Sequence, residues 1–300
     1  MKSIQTEAYN SINIVGKVLT LVTRSGKTSM GKPYESVNLV VRVNDEIEGK
    51  KTISEIPISF FASPYTNSGA ENPLFKNLQK IKELHSIQDY GLDGASFIRL
   101  SKANLQENFF VSRGGQLIDT WQIRGAFCNT VKEGAKEEAT FNIDGFILDI
   151  KDEVNREGDT TGRLIFKVAV VQYSGNVDGG NVDIFDLIVE DPDKINYLQR
   201  LLEVGQTFRF AGHIRYTTEQ EQRATTASSW GEAISDEVTR TVRELIVTGG
   251  GEAPYDEDFG YDPLEIKKAL NARKAKMEQA QIDAKPKATA STRTGKYDWE

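Results

Sequence analysis

The sequence predicts a mainly β protein in which one small barrel occurs twice. Residues 12–16 and 141–145 both read apolar-Asn-Ile-X-Gly, and each run leads into further β-prone sequence. After both runs the same order of elements follows: three strands, one helix and two strands. A repeat of this length defines the architecture, so it is the first feature to interpret.

The strand predictions rest on alternation and the helix predictions on apolar stripes. Side chains in residues 97–101 alternate between two faces, as in a strand. Leu74, Leu78 and Ile81 lie on one side of the first helix. The predicted strands are 12–22, 36–43, 56–61, 94–100 and 121–127, then 141–150, 164–171, 182–189, 205–212 and 239–247, and the helices are 73–84 and 192–204.

Five strands with a helix between the third and fourth are typical of the OB-fold, a five-stranded Greek-key barrel. The fold class predicted is therefore mainly β, with two tandem OB-fold domains, each with one helix, and a helical or disordered C-terminal tail. The predicted domains are residues 1–133 and 134–251, followed by 252–300 as acidic linker, charged helix and flexible tail. A generic β-sandwich carrying one helix is the alternative architecture.

Several segments resemble single-stranded DNA-binding proteins of the bacterial and phage type. The first copy contributes residues 13–18 and 36–44, and the second contributes 183–189 and 205–215. The resemblance covers about two-thirds of the chain and implies sequence-independent binding of single-stranded DNA during replication or recombination. Typical bacterial members carry one such module, so the fused pair is more similar to a phage-encoded version.

Charge distinguishes the two copies. Residues 1–133 carry 16 Lys and Arg against 13 Asp and Glu, whereas residues 134–251 carry 12 against 21. Non-specific affinity for nucleic acid comes mostly from cations that release counterions from phosphates. The first copy is therefore the better candidate for binding a polynucleotide.

An enzyme is not expected. His85 and His213 are far apart in the repeat and neither has a nucleophile and an orienting residue at recognisable positions. No phosphate-binding Gly-Lys-Ser/Thr loop is present, and neither a cofactor nor a metal site is expected. The single cysteine, Cys128, excludes an internal disulfide. With no long apolar run or secretory leader, we expect no membrane association and a cytoplasmic location, in the host cytoplasm if the protein is phage-encoded.

Binding unpaired strands requires cations along the phosphates and flat rings on which bases stack. OB-folds bind ligands across the second and third strands and the loops joining strands one to two and four to five. Strand aromatics such as Phe60, Phe97 and Phe127 usually pack inward. The first-copy candidates in the ligand-binding regions are Lys17, Arg24, Lys27, Lys32, Tyr34, Arg42, Phe61, Tyr65, Phe110, Arg113, Trp121 and Arg124.

The second copy offers fewer candidates, and a long polar insertion at residues 217–237 follows its fourth strand. The insertion is interpreted either as a finger that closes over a strand or as a contact to a neighbouring subunit. The second-copy candidates are Arg163, Lys167, Tyr173, Arg215 and Trp230.

The tail ends with Tyr297, Asp298, Trp299 and Glu300. By its resemblance to the acidic apolar tip of single-stranded DNA-binding proteins, it is predicted to recruit replication or recombination proteins; a frayed end with no role is the alternative. Two functions remain: single-stranded DNA binding, and an OB-fold structural or adaptor protein, such as a virion component, acting through protein contacts. Homo-oligomerisation is left open.

Overall fold

The structure is a computed structural model that describes residues 1–28, 30–112, 114–155, 157–173, 180–224 and 235–284. Of residues 219–224, 235–239 and 284, only the backbone is described. Strands dominate, which confirms the mainly β class.

The first half of the chain closes into a five-stranded barrel. Its strand β1 pairs with β2, β2 with β3, β5 with β4, and β4 with β1, all antiparallel, while β3 and β5 run parallel. The circuit therefore returns to β1 and leaves no free edge. The elements are β1 (Asn10–Lys27), β2 (Pro33–Ile47), β3 (Lys50–Ala62), α1 (Pro73–Lys82), α2 (Ile87–Gly94), β4 (Phe97–Val111) and β5 (Leu117–Thr130).

The second half repeats this circuit. Strand β6 pairs with β7 and with β9, β7 pairs with β8, and β10 pairs with both β9 and β8. The pair β8–β10 is parallel, as β3–β5 is in the first barrel. The elements are β6 (Glu138–Val154), β7 (Thr160–Val171), β8 (Val182–Val189), α3 (Pro192–Leu201), β9 (Thr207–Ala224) and β10 (Ser235–Gly250).

Helices α1 and α3 begin in the same way. Asn72 caps α1 by accepting a hydrogen bond from the Leu74 amide, and Asp191 caps α3 by accepting from the Asp193 amide. A proline follows each cap, at a position where the missing N–H has no helical partner to lose. Leu78 and Leu198 pack into the core from these helices, as their apolar stripes predict.

Helix α2 was not predicted from the sequence. Ser86 caps it, accepting from the Asp89 amide and donating to the Asp89 carboxylate at 2.6 Å. Gly91, with φ 76°, interrupts the helical conformation. Because two glycines lie in eight residues, no apolar period could indicate a helix here.

Both long hairpins extend further than the sequence indicated. Phe109 and Phe110 lie between the predicted strands 94–100 and 121–127, but they belong to β4 and pair with Asp119 and Ile118 of β5. Residues 217–224 were likewise expected in an irregular insertion, but they continue β9. Polar strand residues at a hairpin projecting from a barrel do not alternate with apolar ones, so the period-2 pattern ends before the strand does.

The two barrels are joined by a continuous sheet and by a hairpin that crosses between them. Residues 10–15 of β1 pair antiparallel with residues 138–143 of β6. The β2–β3 hairpin places Ile47 against Ile188 and Ile246 of the second barrel.

Beside this contact, the Asp45 carboxylate lies 2.7 Å from the His213 ring. Burial alone would raise the pKa of Asp45, but hydrogen bonds from His213, Glu46 and Ala139 outweigh it and hold that pKa below its ordinary value.

The chain after the second barrel packs back onto it. The residues 252–262 were expected to be solvated, but Tyr261 is buried and its hydroxyl donates to the Thr6 carbonyl at 2.8 Å. The Tyr255 hydroxyl donates to Asp144 at 3.0 Å. Helix α4 (Pro263–Ala284) follows and buries Ile266 and Ala269 in the core. No described helix is long and apolar enough to cross a membrane.

Candidate nucleic-acid interface

The outer face of β2, β3 and β5 forms an open surface on the first barrel. Val37, Leu39 and Val41 point into the core and are fully buried, so the residues between them face outward. On β3, Phe60 is buried while its neighbour Phe61 is 41% exposed. This alternation gives a continuous outer surface across the three strands.

Three predicted residues meet on this surface. The rings of Tyr34 and Phe61 lie with their centroids 4.8 Å apart, and the Arg124 guanidinium lies 5.8 Å from the Phe61 centroid. Arg124 is brought to β3 by the parallel pairing of β5, in which it is opposite Ser59. We call Tyr34, Phe61 and Arg124 the first-barrel cluster. Two partly exposed rings with a cation beside them are suited to stacking bases and contacting phosphate.

A glycine makes room for the cluster. Gly26 of β1 is paired with Tyr34, and a Cβ atom at Gly26 would lie 2.8 Å from the Tyr34 hydroxyl oxygen. The absence of a side chain at Gly26 therefore lets the Tyr34 ring extend over β1 on the outer face of the barrel.

Further predicted cations lie at the same end of the barrel. Arg24, Lys27 and Lys32 are exposed at the β1–β2 hairpin, close to Tyr34 in sequence and in strand register. The Lys32 ammonium donates to Asn67 at 3.1 Å, in the loop that also carries Tyr65. Tyr65 is 64% exposed. Arg113 lies outside the described residues.

Lys17 and Arg42 lie elsewhere. They are paired with each other across β1 and β2, roughly 25 Å along the strand from Tyr34 at ~3.3 Å per residue. The Lys17 ammonium donates to the Leu92 carbonyl and pairs with Glu133 at 3.3 Å. These two cations therefore do not belong to the surface around the first-barrel cluster.

A cleft of about 930 Å³ continues from that surface toward the second barrel. One side consists of Asn38, Ser59, Phe110 and Trp121 of the first barrel, and the other of the β9–β10 hairpin. Phe110 is 46% exposed, whereas Trp121 is half-buried against the core. Phe110 and Trp121 therefore line a cleft that is continuous with the outer face of β2 and β3.

Most second-barrel candidates form ion pairs within the chain. Arg215 contacts Glu190 at 2.8 Å and Glu244 at 2.8 Å, and Arg163 contacts Glu244 at 2.7 Å and Glu153 at 3.3 Å. The hydrogen bond from Arg215 holds the pKa of Glu190 below its ordinary value. Two guanidinium groups are thus shared among three carboxylates, which leaves no net positive charge in this group.

The remaining candidates are dispersed. Lys167 pairs with Asp186 at 3.1 Å. Tyr173 is 75% exposed but lies beyond the end of β7. Trp230 and the tail residues Tyr297, Asp298, Trp299 and Glu300 lie outside the described residues, so their proposed contacts stay predictions.

Arg240 and Arg243 line the cleft beside Tyr216, and these two arginines were not predicted from the sequence. Their sequence signal is the polar run that precedes the apolar residues 245–247 of the last strand, which suggests a projecting hairpin. Nothing in that run indicates the barrel over which the hairpin lies. No group of three or more His, Cys, Asp or Glu residues in the described part of the chain could hold a metal ion.

A profile of the YorF family matches residues 8–283, which is most of the chain. The chain belongs to the YorF family. A search of curated proteins found no match.

Solved structures of single-stranded DNA binding proteins are similar to this YorF chain. The wild-type single-stranded DNA binding protein from Thermus aquaticus is 9% identical, with a TM-score of 0.50, covering 84% of this chain and 95% of that chain. A deletion mutant of the single-stranded DNA binding protein from Thermus aquaticus is 10% identical, with a TM-score of 0.48, covering 86% of this chain and 98% of that chain. At this identity the likeness to the wild-type protein shows a shared fold, and the OB-fold class predicted from the sequence is confirmed.

Proposed function

We propose that this protein binds single-stranded DNA without sequence preference, and that it is not an enzyme. The observation that carries the proposal is the first-barrel cluster, where Tyr34 and Phe61 lie 4.8 Å apart beside Arg124 on the outer face of the barrel. Stacking a base on such a ring contributes roughly 1–3 kcal/mol, and it works for every base because each has a π-face.

The cations around the cluster support the proposal. Arg24, Lys27, Lys32 and Arg124 form no ion pair with any carboxylate in the described part of the chain. The nearby Glu35 is paired with Lys82 at 2.8 Å instead, and that hydrogen bond lowers the pKa of Glu35. Unpaired cations next to exposed rings favour binding of a flexible polyanion at this end of the barrel.

The proposed organisation follows from this site. Residues 1–133 would form the main DNA-binding domain, 134–251 a second domain, and 252–300 the connection to the tail. The role proposed for the protein is coating single strands in replication or recombination. The tail residues Tyr297, Asp298, Trp299 and Glu300 are proposed to recruit partner proteins.

One observation favours a second function, that of a structural or adaptor protein. The second barrel uses its outer face for protein contacts, because Ile47 packs against Ile188 and Ile246 there. An OB-fold face that already holds a hairpin of the same chain could hold other protein segments in the same way. This alternative predicts no affinity for oligonucleotides.

The test is binding of a fluorescent oligo-dT to the full chain, measured by anisotropy at low and high salt. Phe61→Ala and Arg124→Ala should each weaken binding about 5- to 100-fold, in line with the loss of a stacking or ionic contact. Ile53→Ala is the matched control for Phe61, since Ile53 is exposed on the same strand far from Tyr34. Arg99→Ala is the control for Arg124, since Arg99 is exposed on β4. Wild-type protein that fails to bind oligo-dT at micromolar concentration would rule the function out.

A further inference from the structure

The second barrel extends its β9–β10 hairpin beside the outer face of the first barrel. The Tyr216 amide donates to the Ser54 hydroxyl at 3.2 Å, and that hydroxyl lies 3.4 Å from the Ile214 carbonyl oxygen. These contacts join the base of β9 to β3. The cleft of about 930 Å³ lies between the hairpin and strands β2, β3 and β5.

Three side chains from two barrels meet in this cleft. The Tyr216 ring contacts Trp121 edge to face, with centroids 6.3 Å apart. The Arg243 guanidinium lies 5.0 Å from the Tyr216 centroid and donates to the Thr120 hydroxyl at 3.0 Å. Trp121 and Thr120 belong to β5 of the first barrel, whereas Tyr216 and Arg243 belong to the second. We call Trp121, Tyr216 and Arg243 the cleft cluster.

Arg243 differs from Arg163 and Arg215 because its described contacts include no carboxylate. Arg163 and Arg215 are held by carboxylates at 2.7–2.8 Å. Arg243 is exposed, and its described contacts are to a hydroxyl and a ring, not to a carboxylate. An exposed guanidinium backed by an aromatic ring can stack on a base or bind a phosphate.

Strand β5 connects the two clusters, because it carries Arg124 of the first-barrel cluster and Trp121 of the cleft cluster. Thr120, which accepts the hydrogen bond from Arg243, and Arg124 are four residues apart on β5, so they lie on the same face of the strand, about 13 Å apart at ~3.3 Å per residue. Asn38 and Ser59 line the cleft, and Ser59 is directly opposite Arg124. A single polynucleotide strand could therefore contact both clusters without leaving the surface.

We propose that Tyr216 and Arg243 form the second wall of the single-stranded DNA site. The second barrel then contributes to binding through its projecting hairpin and not through its own outer face, where the arginines are neutralised. This inference rests on the proposed function. It predicts a dependence on oligonucleotide length, because only a strand that spans both clusters can contact Arg243.

The experiment compares oligo-dT of about 4 and about 16 nucleotides, the range over which one OB-fold binds. Arg243→Gln should weaken binding of the longer oligonucleotide at least 5-fold and leave that of the shorter one within 2-fold. Tyr216→Leu should act in the same direction. Arg200→Gln and Tyr197→Leu are the matched controls, because both residues are exposed on α3, away from the cleft.

Fluorescence of Trp121 provides a second readout. The chain has three tryptophans, so Trp230→Phe with Trp299→Phe leaves Trp121 as the only reporter. Binding of the longer oligonucleotide should quench it, and Arg243→Gln should reduce the quenching at equal concentration. If Arg243→Gln leaves affinity and quenching unchanged while Phe61→Ala weakens binding, the inference is wrong and the proposed function stands. If the wild-type chain binds neither oligonucleotide, both fail.

Discussion

The Arg273 guanidinium, on helix α4, forms a two-pronged ion pair with the Glu107 carboxylate, on β4 of the first barrel. Its Nε atom lies 2.7 Å from Oε2, and its Nη2 atom contacts Oε1 as well as Asp119. The side chains of Arg273 and Glu107 are 13% and 4% exposed. Burial raises the pKa of Glu107 to about 7, an effect that Arg273 offsets only in part. The C-terminal helix is thus fastened to the hairpin whose second strand carries Trp121.

Replacing Arg273 by Ala should destabilise the fold by about 3–5 kcal/mol, because it leaves a buried carboxylate without its cation. The measurement is the free energy of unfolding from urea denaturation at pH 8, where Glu107 is ionised. Lys274→Ala is the matched control. Lys274 is the next residue of the same helix. It is mostly exposed, and its ion pair with Glu278 is long, at 3.9 Å, so removing the side chain should change the free energy of unfolding by less than ~0.5 kcal/mol. Equal stabilities of the two variants would contradict the role assigned to Arg273.

Gly26→Ala should weaken DNA binding while leaving the barrel folded. The new methyl group would overlap the Tyr34 ring and force it out of its position beside Phe61. Loss of an aromatic pair corresponds to about 0.5–1.5 kcal/mol, or about 2- to 12-fold in affinity. Anisotropy with oligo-dT measures the affinity, and circular dichroism checks the fold. Gly249→Ala, where no atom lies within 4 Å of the added carbon, should leave affinity unchanged. A normal affinity for Gly26→Ala would show that the Tyr34 position is not needed.

Arg124→Ala should reduce the salt dependence of DNA binding. Each phosphate contact to a single strand contributes about 0.7 to the slope of log K against log salt concentration. The slope should become shallower by roughly that amount in anisotropy titrations at several salt concentrations. Arg99→Ala should retain the wild-type slope. An unchanged slope for Arg124→Ala would place the Arg124 guanidinium away from the phosphates.

Asp183→Asn should flatten the pH dependence of stability between about pH 4 and pH 6. Burial raises the pKa of Asp183 to about 6, although hydrogen bonds from the Glu107 amide and Gln172 act against it. The ordinary pKa of an unfolded Asp is about 3.9, so the folded protein holds more protons in this window. The contribution of this group to the free energy of unfolding therefore falls as the pH rises from 4 to 6, by on the order of 2–3 kcal/mol.

The comparison is made by urea denaturation across that pH range. The difference in unfolding free energy between wild type and Asp183→Asn should change with pH in the direction given. Asp186→Asn is the control, because Asp186 is half-exposed on the same strand and pairs with Lys167. A difference that stays constant from pH 4 to pH 6 would show that Asp183 is already ionised throughout.

The candidate site was partly predictable from sequence. Tyr34, Phe61 and Arg124 could be selected because the OB-fold order, once recognised, assigns them to the strands and ends where ligands bind. Arg163 and Arg215 were selected by the same reasoning, yet they are engaged by Glu153, Glu190 and Glu244. These two arginines and three carboxylates lie on β6, β7, β9, β10 and just after β8, and no local sequence pattern indicates which charges meet across a barrel.

Sequence alone determined the repeated order of the strands with α1 and α3, the alternation of strand residues between two faces, and the starts of α1 and α3 at a proline. These features depend on interactions between residues near one another in the chain, such as period-2 alternation and an Asn or Asp cap before proline. The tertiary structure decided that the β9–β10 hairpin faces the first barrel, that Ile47 covers the second, and that Arg273 reaches Glu107. Those contacts join residues about a hundred or more positions apart, so they follow from how closed barrels pack and not from any local period.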